Sequence, residues 1–287
     1  LTTNPYYSHE VELSKSKVYA IVEDGSDNVW LGLTEKGVFQ QPPSSSGFHY
    51  MGHKAGAKNV IGSSNICCVF VDSKDNTWLG TDKDGVYCLD KEGRLVKHFS
   101  DDVPSTVLTI GEGDDGRIWL GSYGEGGGWI DPKTAQYHPM NMPQFDFLSI
   151  TDYAKDCDGR GWAGTMGHGL LSFAKDGTVR QFRSEDAAGK GLSRDFISQL
   201  SQSPDGHRLY VAADNGLNCL DLDNLTWNGI FGGKCLMPGA NVYLAREYNN
   251  ALWIGTTEGL FHYDLRKREL GHYTVEQGLP SNNITSI

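Results

Sequence analysis

One tripeptide recurs along this chain at a spacing that leaves few folds open. Trp30-Leu31-Gly32, Trp78-Leu79-Gly80, Trp119-Leu120-Gly121, Trp162-Ala163-Gly164 and Trp253-Ile254-Gly255 repeat it, and Tyr210-Val211-Ala212 is a degenerate sixth copy. Successive anchors stand 48, 41, 43, 48 and 43 residues apart. A near-constant period of this length marks a repeat architecture, in which each unit buries its faces by stacking on its neighbours.

The flanks give each repeat its internal structure. Ahead of the anchors run strand-length apolar segments such as Val18-Tyr19-Ala20-Ile21-Val22, Ile66-Cys67-Cys68-Val69-Phe70 and Phe196-Ile197-Ser198-Gln199-Leu200. Turn residues follow, and three positions before the five tryptophan anchors stand Asp27, Asp75, Gly116, Gly159 and Asn250, types that tolerate the positive φ of hairpin turns. After the anchor strand a glycine (Gly37, Gly85, Gly126, Gly169, Gly216, Gly259) opens a third strand. Aromatic segments such as Lys97-His98-Phe99, Gln136-Tyr137-His138 and Gly271-His272-Tyr273 make a fourth.

Four short strands in about 45 residues form a β-propeller blade. The expectation is an all-β propeller of four-stranded antiparallel blades, a single domain over 1–287 with blades at roughly 14–53, 62–101, 103–141, 143–184, 192–233 and 238–275. Each anchor (Trp30, Trp78, Trp119, Trp162, Tyr210, Trp253) is expected to fill the space between neighbouring blades, with the glycine two residues on making room for it. Residues 1–10 read as the outer strand and 279–287 as the inner strand of an incomplete seventh blade. A truncated seven-bladed ring follows, a six-bladed ring clasped by its termini being the runner-up. The start at Leu1 reads as a processed or excised chain.

Composition narrows the function. Lys and Arg number 25 against 36 Asp and Glu, a net charge of −11, which repels a phosphate backbone and argues against nucleic acid as a partner. No apolar run approaches the length of a membrane span, so no membrane contact is expected of this segment.

The repeats resemble the two-component regulator propeller family, whose pattern is roughly V-x-x-I-x-E-D-x-x-G-x-[IL]-W-[LI]-G-T-x-x-G-[LV]-x-x-[FY]-D followed by G-L-P-S-N-x-I. Glu23-Asp24, Gly37-Val38-Phe39, Trp78-Leu79-Gly80-Thr81, Trp253-Ile254-Gly255-Thr256, Gly259-Leu260-Phe261 and Gly278-Leu279-Pro280-Ser281-Asn282 carry the resemblance. It implies a periplasmic sensor region of a hybrid histidine kinase/response regulator that detects glycan-derived oligosaccharides. A neighbouring propeller or β-sandwich of the same chain, and a homodimer in the full-length protein, are the partners it implies. The kinase lies outside this segment, which is itself expected to have no enzyme activity. Blade five departs from the pattern, with Tyr210 for Trp and Ala212 for Gly.

In a propeller the second-to-third-strand loops and the fourth-to-first-strand loops share one face. Tyr123, Glu125, His168 and Asp214 are the candidate ligand-binding residues there, able to stack on sugar rings or to accept hydroxyl hydrogen bonds. Trp129 reads as third-strand core, and Trp227 as either an exposed contact or a blade-edge filler. His49, His98, His138 and His272 fall one per blade on outer strands, which argues against a shared metal, and no cofactor is expected. The Gly124 to Gly128 run lacks the helix a phosphate cradle needs. Six cysteines make no disulfide framework at this length. Two alternatives stay open: a propeller lyase or hydrolase, for which the mainly apolar, Ser and Thr inner strands offer Glu112 and Asp152 near their ends, and a protein-interaction scaffold.

Overall fold

The computed structural model describes residues 18–33, 37–44, 49–51, 61–62, 65–142, 147–174, 178–185 and 191–287. The chain divides into two compact units, Leu1–Met142 and Pro143–Ile287. Each contains three antiparallel sheets whose strands pair in chain order, so every sheet is a meander. The fold is an all-β propeller.

In the first unit, blade 1 comprises β1 (Val18–Glu23), β2 (Val29–Leu33), β3 (Gly37–Gln41) and β4 (His49–Met51). Blade 2 comprises β5 (Ile66–Val71), β6 (Thr77–Thr81), β7 (Val86–Leu89) and β8 (Leu95–Phe99). Blade 3 comprises β9 (Val107–Glu112), β10 (Ile118–Ser122), β11 (Gly127–Asp131) and β12 (Gln136–Pro139). In the second unit, blade 4 holds β13 (Ile150–Lys155), β14 (Gly161–Thr165), β15 (Leu170–Phe173) and β16 (Val179–Phe182). Blade 5 holds only β17 (Ile197–Gln202), β18 (Arg208–Ala213) and β19 (Gly216–Asp221). Blade 6 holds β20 (Val242–Tyr248), β21 (Ala251–Thr256), β22 (Gly259–Asp264) and β23 (Glu269–Tyr273).

The hairpin between the first and second strands is built around a carboxylate. Asp72 Oδ1 accepts the backbone N–H groups of Lys74 and Asn76 at 2.9 Å each, and its Oδ2 accepts Trp78 Nε1–H at 2.8 Å. Asp24 and Asp156 hold the indoles of Trp30 and Trp162 in the same way, at 2.8 and 2.9 Å. The turn closes through a residue of positive φ, and Asp27, Asp75, Gly116, Gly159 and Asn250 all take it, at 60°, 62°, 75°, 75° and 62°. In blades 1 to 4 this is the three-residue hairpin whose last loop residue is left-handed, whereas blade 6 pairs Tyr248 with Ala251 and turns through two left-handed residues, Asn249 and Asn250. An indole buried without an acceptor would forfeit a hydrogen bond, so one carboxylate both shapes the turn and satisfies the anchor.

The held indoles pack against the next blade. Trp30 lies in one cluster with Ile66, Leu79 and Tyr87 of blade 2, and Trp78 with Ile110, Ile118 and Leu120 of blade 3. In the second unit Trp162 packs with Ile197, Leu200 and Leu209, and Tyr210 with Val242, Leu252 and Ile254. Trp119 and Trp253 differ, being only half-buried. Their turns explain part of the difference. Gly113 stands where blades 1, 2 and 4 have the aspartate, and in blade 6, whose turn is shorter, Glu247 has the same spacing from the tryptophan but pairs with Leu252 in the ladder and accepts the Tyr210 hydroxyl of blade 5.

Every inner strand is irregular at the same place. The pairing skips Tyr19, Cys67, Leu108, Thr151, Ser198 and Tyr243, the second residue of each. Such a bulge bends the strand and sets its first residue against the preceding blade. There the Trp-x-Gly glycine is needed for a reason other than room for the indole. A Cβ on Gly164 would stand 2.7 Å from Ile197 Cγ2, and one on Gly80 2.8 Å from the Val107 carbonyl oxygen. The glycine makes room for the first residue of the next inner strand.

Two expectations are corrected. Blade 5 has no outer strand: single bridges at Leu220–Trp227 and Leu217–Leu236 replace it, with a 3-10 turn, Gly229–Phe231, between them. Residues 279–287 form no strand either: Ile284 N–H bonds to Thr256 O at 2.9 Å, but no ladder continues from it among the described residues. Ile284 nonetheless occupies, beside Gly255, the position that Ile197 takes beside Gly164. The expected outer strand at 1–10 lies outside the described residues.

Two measurements test this packing. Asp156→Ala, which strips the acceptor from a buried indole and from two turn amides, is expected to lower unfolding stability by about 3 kcal/mol. Gly164→Ala is expected to cost about 1–3 kcal/mol through overpacking. Both are read from urea midpoints of the full chain. Acid should act on the same turns. Burial opposes ionisation of Asp24, but hydrogen bonds from Trp30, Asn28 and Ser26 outweigh it and hold the carboxyl below its ordinary value. The Ser203 hydroxyl, outweighing desolvation and helped by the His207 amide and Arg208, brings Asp205 down to about 2. Depressed carboxylates stabilise above their unfolded values, so the urea midpoint is expected to hold above about pH 4 and to fall as pH drops toward 2.

Candidate functional site

A single backbone bond recurs where the second strand ends. The first residue past it donates its N–H to the residue just ahead of the inner strand: Asp82 to Asn65 O at 3.0 Å, Tyr123 to Thr106 O at 3.1 Å, Met166 to Ser149 O at 3.0 Å and Asp214 to Phe196 O at 3.3 Å. Tyr123 and Asp214 therefore hold equivalent positions, one in each unit. Both are exposed, Tyr123 by 50%.

Glu125 and His168 share a different position, directly before the glycine that opens the third strand, and both are tied into the fold. Glu125 Oε1 accepts the N–H and the hydroxyl of Ser105, each at 3.1 Å. His168 donates its N–H to Thr165 Oγ1 at 3.0 Å, and its carbonyl accepts Gln181 Nε2–H at 2.8 Å. The corresponding carbonyls in blades 2 and 6, of Asp84 and Glu258, accept Nε2–H from His98 and His272 at 2.8 Å. Those two imidazoles stack on Tyr87 and Phe261 with ring centroids 3.9 Å apart. The two outer-strand histidines thus pin the loop before the third strand.

Around Tyr123 the first unit offers Thr106, whose hydroxyl donates to Asp82 Oδ1 at 3.0 Å. The second unit offers more. Met166 bridges to Phe196, and the Asp195 carbonyl accepts the N–H groups of Gly167 and Gly169, both at 3.0 Å. Phe147, two residues ahead of Ser149, is 67% exposed and Phe196 is 42% exposed. Phe147 also sits at φ 51°, a left-handed conformation costly for a bulky residue and found where surrounding structure imposes it. Beneath them Asp195 is locked by Ser184 N–H at 2.7 Å and Arg183 at 3.1 Å. Phe147, Met166, Phe196 and the exposed carboxylate of Asp214 make up the candidate site of this unit. Backbone bonds link Met166 and Asp214 to Phe196, while Phe147 stands two residues ahead of Ser149, which bonds Met166.

The strand pattern places Phe196 as the first residue of an apolar run. In the structure the strand starts at Ile197 and Phe196 stands just ahead of it, bridged to Met166. Phe147 carried no motif; its neighbour Leu148 is buried. Glu112 and Asp152, the carboxylates named for a lyase or hydrolase, are committed elsewhere. Glu112 accepts Ser73 N–H and Oγ–H at 2.8 and 2.7 Å, and Asp152 accepts Leu200 N–H at 2.8 Å. Both thereby tie neighbouring blades.

The remaining residues singled out in the sequence fall within the framework. Trp129 is half-buried, 5.3 Å from Trp119 and 5.5 Å from His138 between centroids. Trp227 packs edge-on to Phe182. The Gly124 to Gly128 run is a tight turn, in which Gly126 O accepts Ser122 N–H and Oγ–H, and it leads into β11. The side chain of His49 lies outside the described residues. Among the described residues no three His, Cys, Asp or Glu side chains are placed to hold a metal ion, no helix is long and apolar enough to cross a membrane, and none of the six cysteines forms a disulfide.

Glu125→Ala is therefore expected to lower stability by up to about 1 kcal/mol. Tyr123→Ala and Asp214→Ala, at exposed positions, are expected to stay within about 0.5 kcal/mol of the parent. Urea midpoints of the three variants check the distinction.

No protein-family model and no curated protein matches the chain. Solved structures do. The extracellular domain of BT4673 from B. thetaiotaomicron, described as that of a hybrid two-component system, superposes with a TM-score of 0.71 at 16% identity, over 90% of this chain and 36% of that one. Catalytically inactive virginiamycin B lyase from Staphylococcus aureus, crystallised with quinupristin, superposes with a TM-score of 0.72 at 13% identity, over 94% of this chain and 89% of that one. PorZ of Porphyromonas gingivalis, a component of the type-IX secretion system, gives 0.61 at 16% identity. The chain spans about a third of the length of the BT4673 domain. At these identities the likeness is one of fold, and it places the chain among β-propellers that include extracellular domains of hybrid two-component systems.

Proposed function

We propose that this chain is the sensor propeller of an extracytoplasmic region, periplasmic in location, that binds glycan-derived oligosaccharides and passes the signal to a kinase outside the segment. The observation that carries the reading is the cluster on blades 4 and 5: two exposed phenylalanine rings, a methionine and a carboxylate on loops held by backbone bonds. Apolar ring faces suit the C–H faces of a sugar, and a carboxylate accepts its hydroxyls. Tyr123 beside Asp82 and Thr106 repeats the combination in the first unit. Glu125 and His168 support these loops. Binding signals only through different affinity for two arrangements of the protein, which the neighbouring propeller or β-sandwich domain and a homodimeric partner would supply.

A lyase is the second reading, because the virginiamycin B lyase is matched almost end to end. The commitment of Glu112 and Asp152 to backbone bonds weighs against it.

Calorimetric titration with short neutral and acidic oligosaccharides tests the proposal. Binding is expected, weakened about tenfold or more by Phe196→Ala, the loss of one stacking contact of about 1.4 kcal/mol. Absence of heat with every oligosaccharide would count against it. Turnover of a glycan or lactone, abolished by Asp152→Asn, would favour the lyase, and a protein complex stable without sugar would favour a scaffold.

A further inference from the structure

Blade 5 replaces its outer strand with a segment that does more than cover a sheet edge. At its start Asn228 is 1% exposed and left-handed, with φ 57°. Its N–H donates to Cys219 O at 2.6 Å and its Oδ1 accepts Cys219 N–H at 2.9 Å, the pair of bonds an outer-strand residue would make. Its Nδ2 then reaches out of the sheet to Gly191 O at 3.2 Å. Gly191 begins the stretch that ends at Phe196. Asn218, fully buried beside it, holds the same stretch through Ser193 N–H at 3.0 Å and Ser193 Oγ at 2.8 Å.

The returning arm grips the other loop of the site. Leu236 and Leu217 exchange both backbone bonds, Gly239 N–H donates to Asn215 Oδ1 at 2.8 Å, and the Cys235 thiol donates to Asn215 O at 3.6 Å. The arm lies so close over Gly216 that a Cβ there would stand 2.7 Å from Leu236 O. Asn215 and Gly216 directly follow Asp214. Between the two grips, Trp227 meets Phe182 of blade 4 edge-on at 6.1 Å and Phe231 meets Tyr263 of blade 6 at 5.7 Å.

We infer that residues 226–240 form a strap that positions Phe196 and Asp214 and couples them to blade 6, with Asn228 as its pin and Asn218 of β19 holding the same stretch at Ser193. The inference rests on the reading of those residues as a ligand site. One segment touches both loops of that site and the blades on either side, so a change in the loops is shared with the Phe231–Tyr263 contact. Coupling of this kind is reciprocal: whatever loosens the strap weakens ligand by the same factor that ligand tightens the strap. Asn228, Asn218 and Phe231 are positioning residues in this account.

Hydrogen exchange of the full chain, read by mass spectrometry without ligand, tests it. Phe231→Ala touches neither loop, yet exchange in peptides covering 191–197 and 214–217 is expected to quicken on the order of tenfold, while peptides of β14 and of the first unit hold their parent rates. Asn228→Gly, which keeps the backbone bond and the left-handed conformation, is expected to quicken the same peptides. Faster exchange confined to 226–236, or spread evenly over the unit, would assign the segment a structural role alone and overturn the inference. Should Phe231→Ala fail to fold, Phe231→Leu, which removes the ring contact with less loss of volume, gives the same reading. The oligosaccharide titration separates the two proposals: no heat defeats the ligand site and leaves the exchange result to judge the strap, whereas binding with unchanged loop exchange defeats the strap alone.

Discussion

A carboxylate that accepts an indole N–H from inside a hairpin turn is the contact on which the blades depend. Asp24, Asp72 and Asp156 each bring the turn amides and a tryptophan into one bonded group. The indole is thereby held facing the next blade with its polar atom satisfied. Ring surface of this size, buried against leucine and isoleucine of the neighbouring sheet, supplies cohesion that no single four-stranded sheet has by itself. Where the aspartate is absent, at Gly113, or a carboxylate of the same spacing is redirected, at Glu247, the anchor is less buried or tied differently.

The second constraint is the approach of the next inner strand. A bulge at one repeated position turns the first residue of that strand toward the preceding Trp-x-Gly glycine, and the clearance leaves no room for a methyl group at Gly80 or Gly164. Bulge, glycine and carboxylate-held indole occur together in blades 1, 2 and 4, while blade 5 keeps the bulge with Tyr210 and Ala212 in place of the other two. The same geometry leaves the residue just ahead of each inner strand turned toward the loop after the second strand, and the site residues Phe196, Tyr123 and Asp214 all derive from that junction.

Much of this was legible in the residues. The period located the six sheets, and the positive-φ positions at Asp27, Asp75, Gly116, Gly159 and Asn250 follow from the turn length and the residue types alone. The site was legible in part. Loop position named Tyr123 and Asp214, but it could not separate them from Glu125 and His168, whose different role depends on Ser105 and Gln181, 20 and 13 residues away. Alternation assigned Phe196 to a strand, since a period of two does not reveal which residue precedes the first ladder bond. Blade 5 defeated the pattern because Asn228 reproduces an outer strand's bonds with its own side chain, which strand propensity does not register.

Spacing and residue type by themselves determined the repeat, the all-β class, the turns and the anchors, because each of these is set within a few residues by steric and hydrogen-bonding preference. Which carboxylates are spent on neighbouring blades, which aromatic rings remain at the surface over blades 4 and 5, and how the 226–240 segment grips two loops were decided only by the tertiary structure. These join residues dozens of positions apart, and a chain read in order carries no record of which distant donor will meet which acceptor.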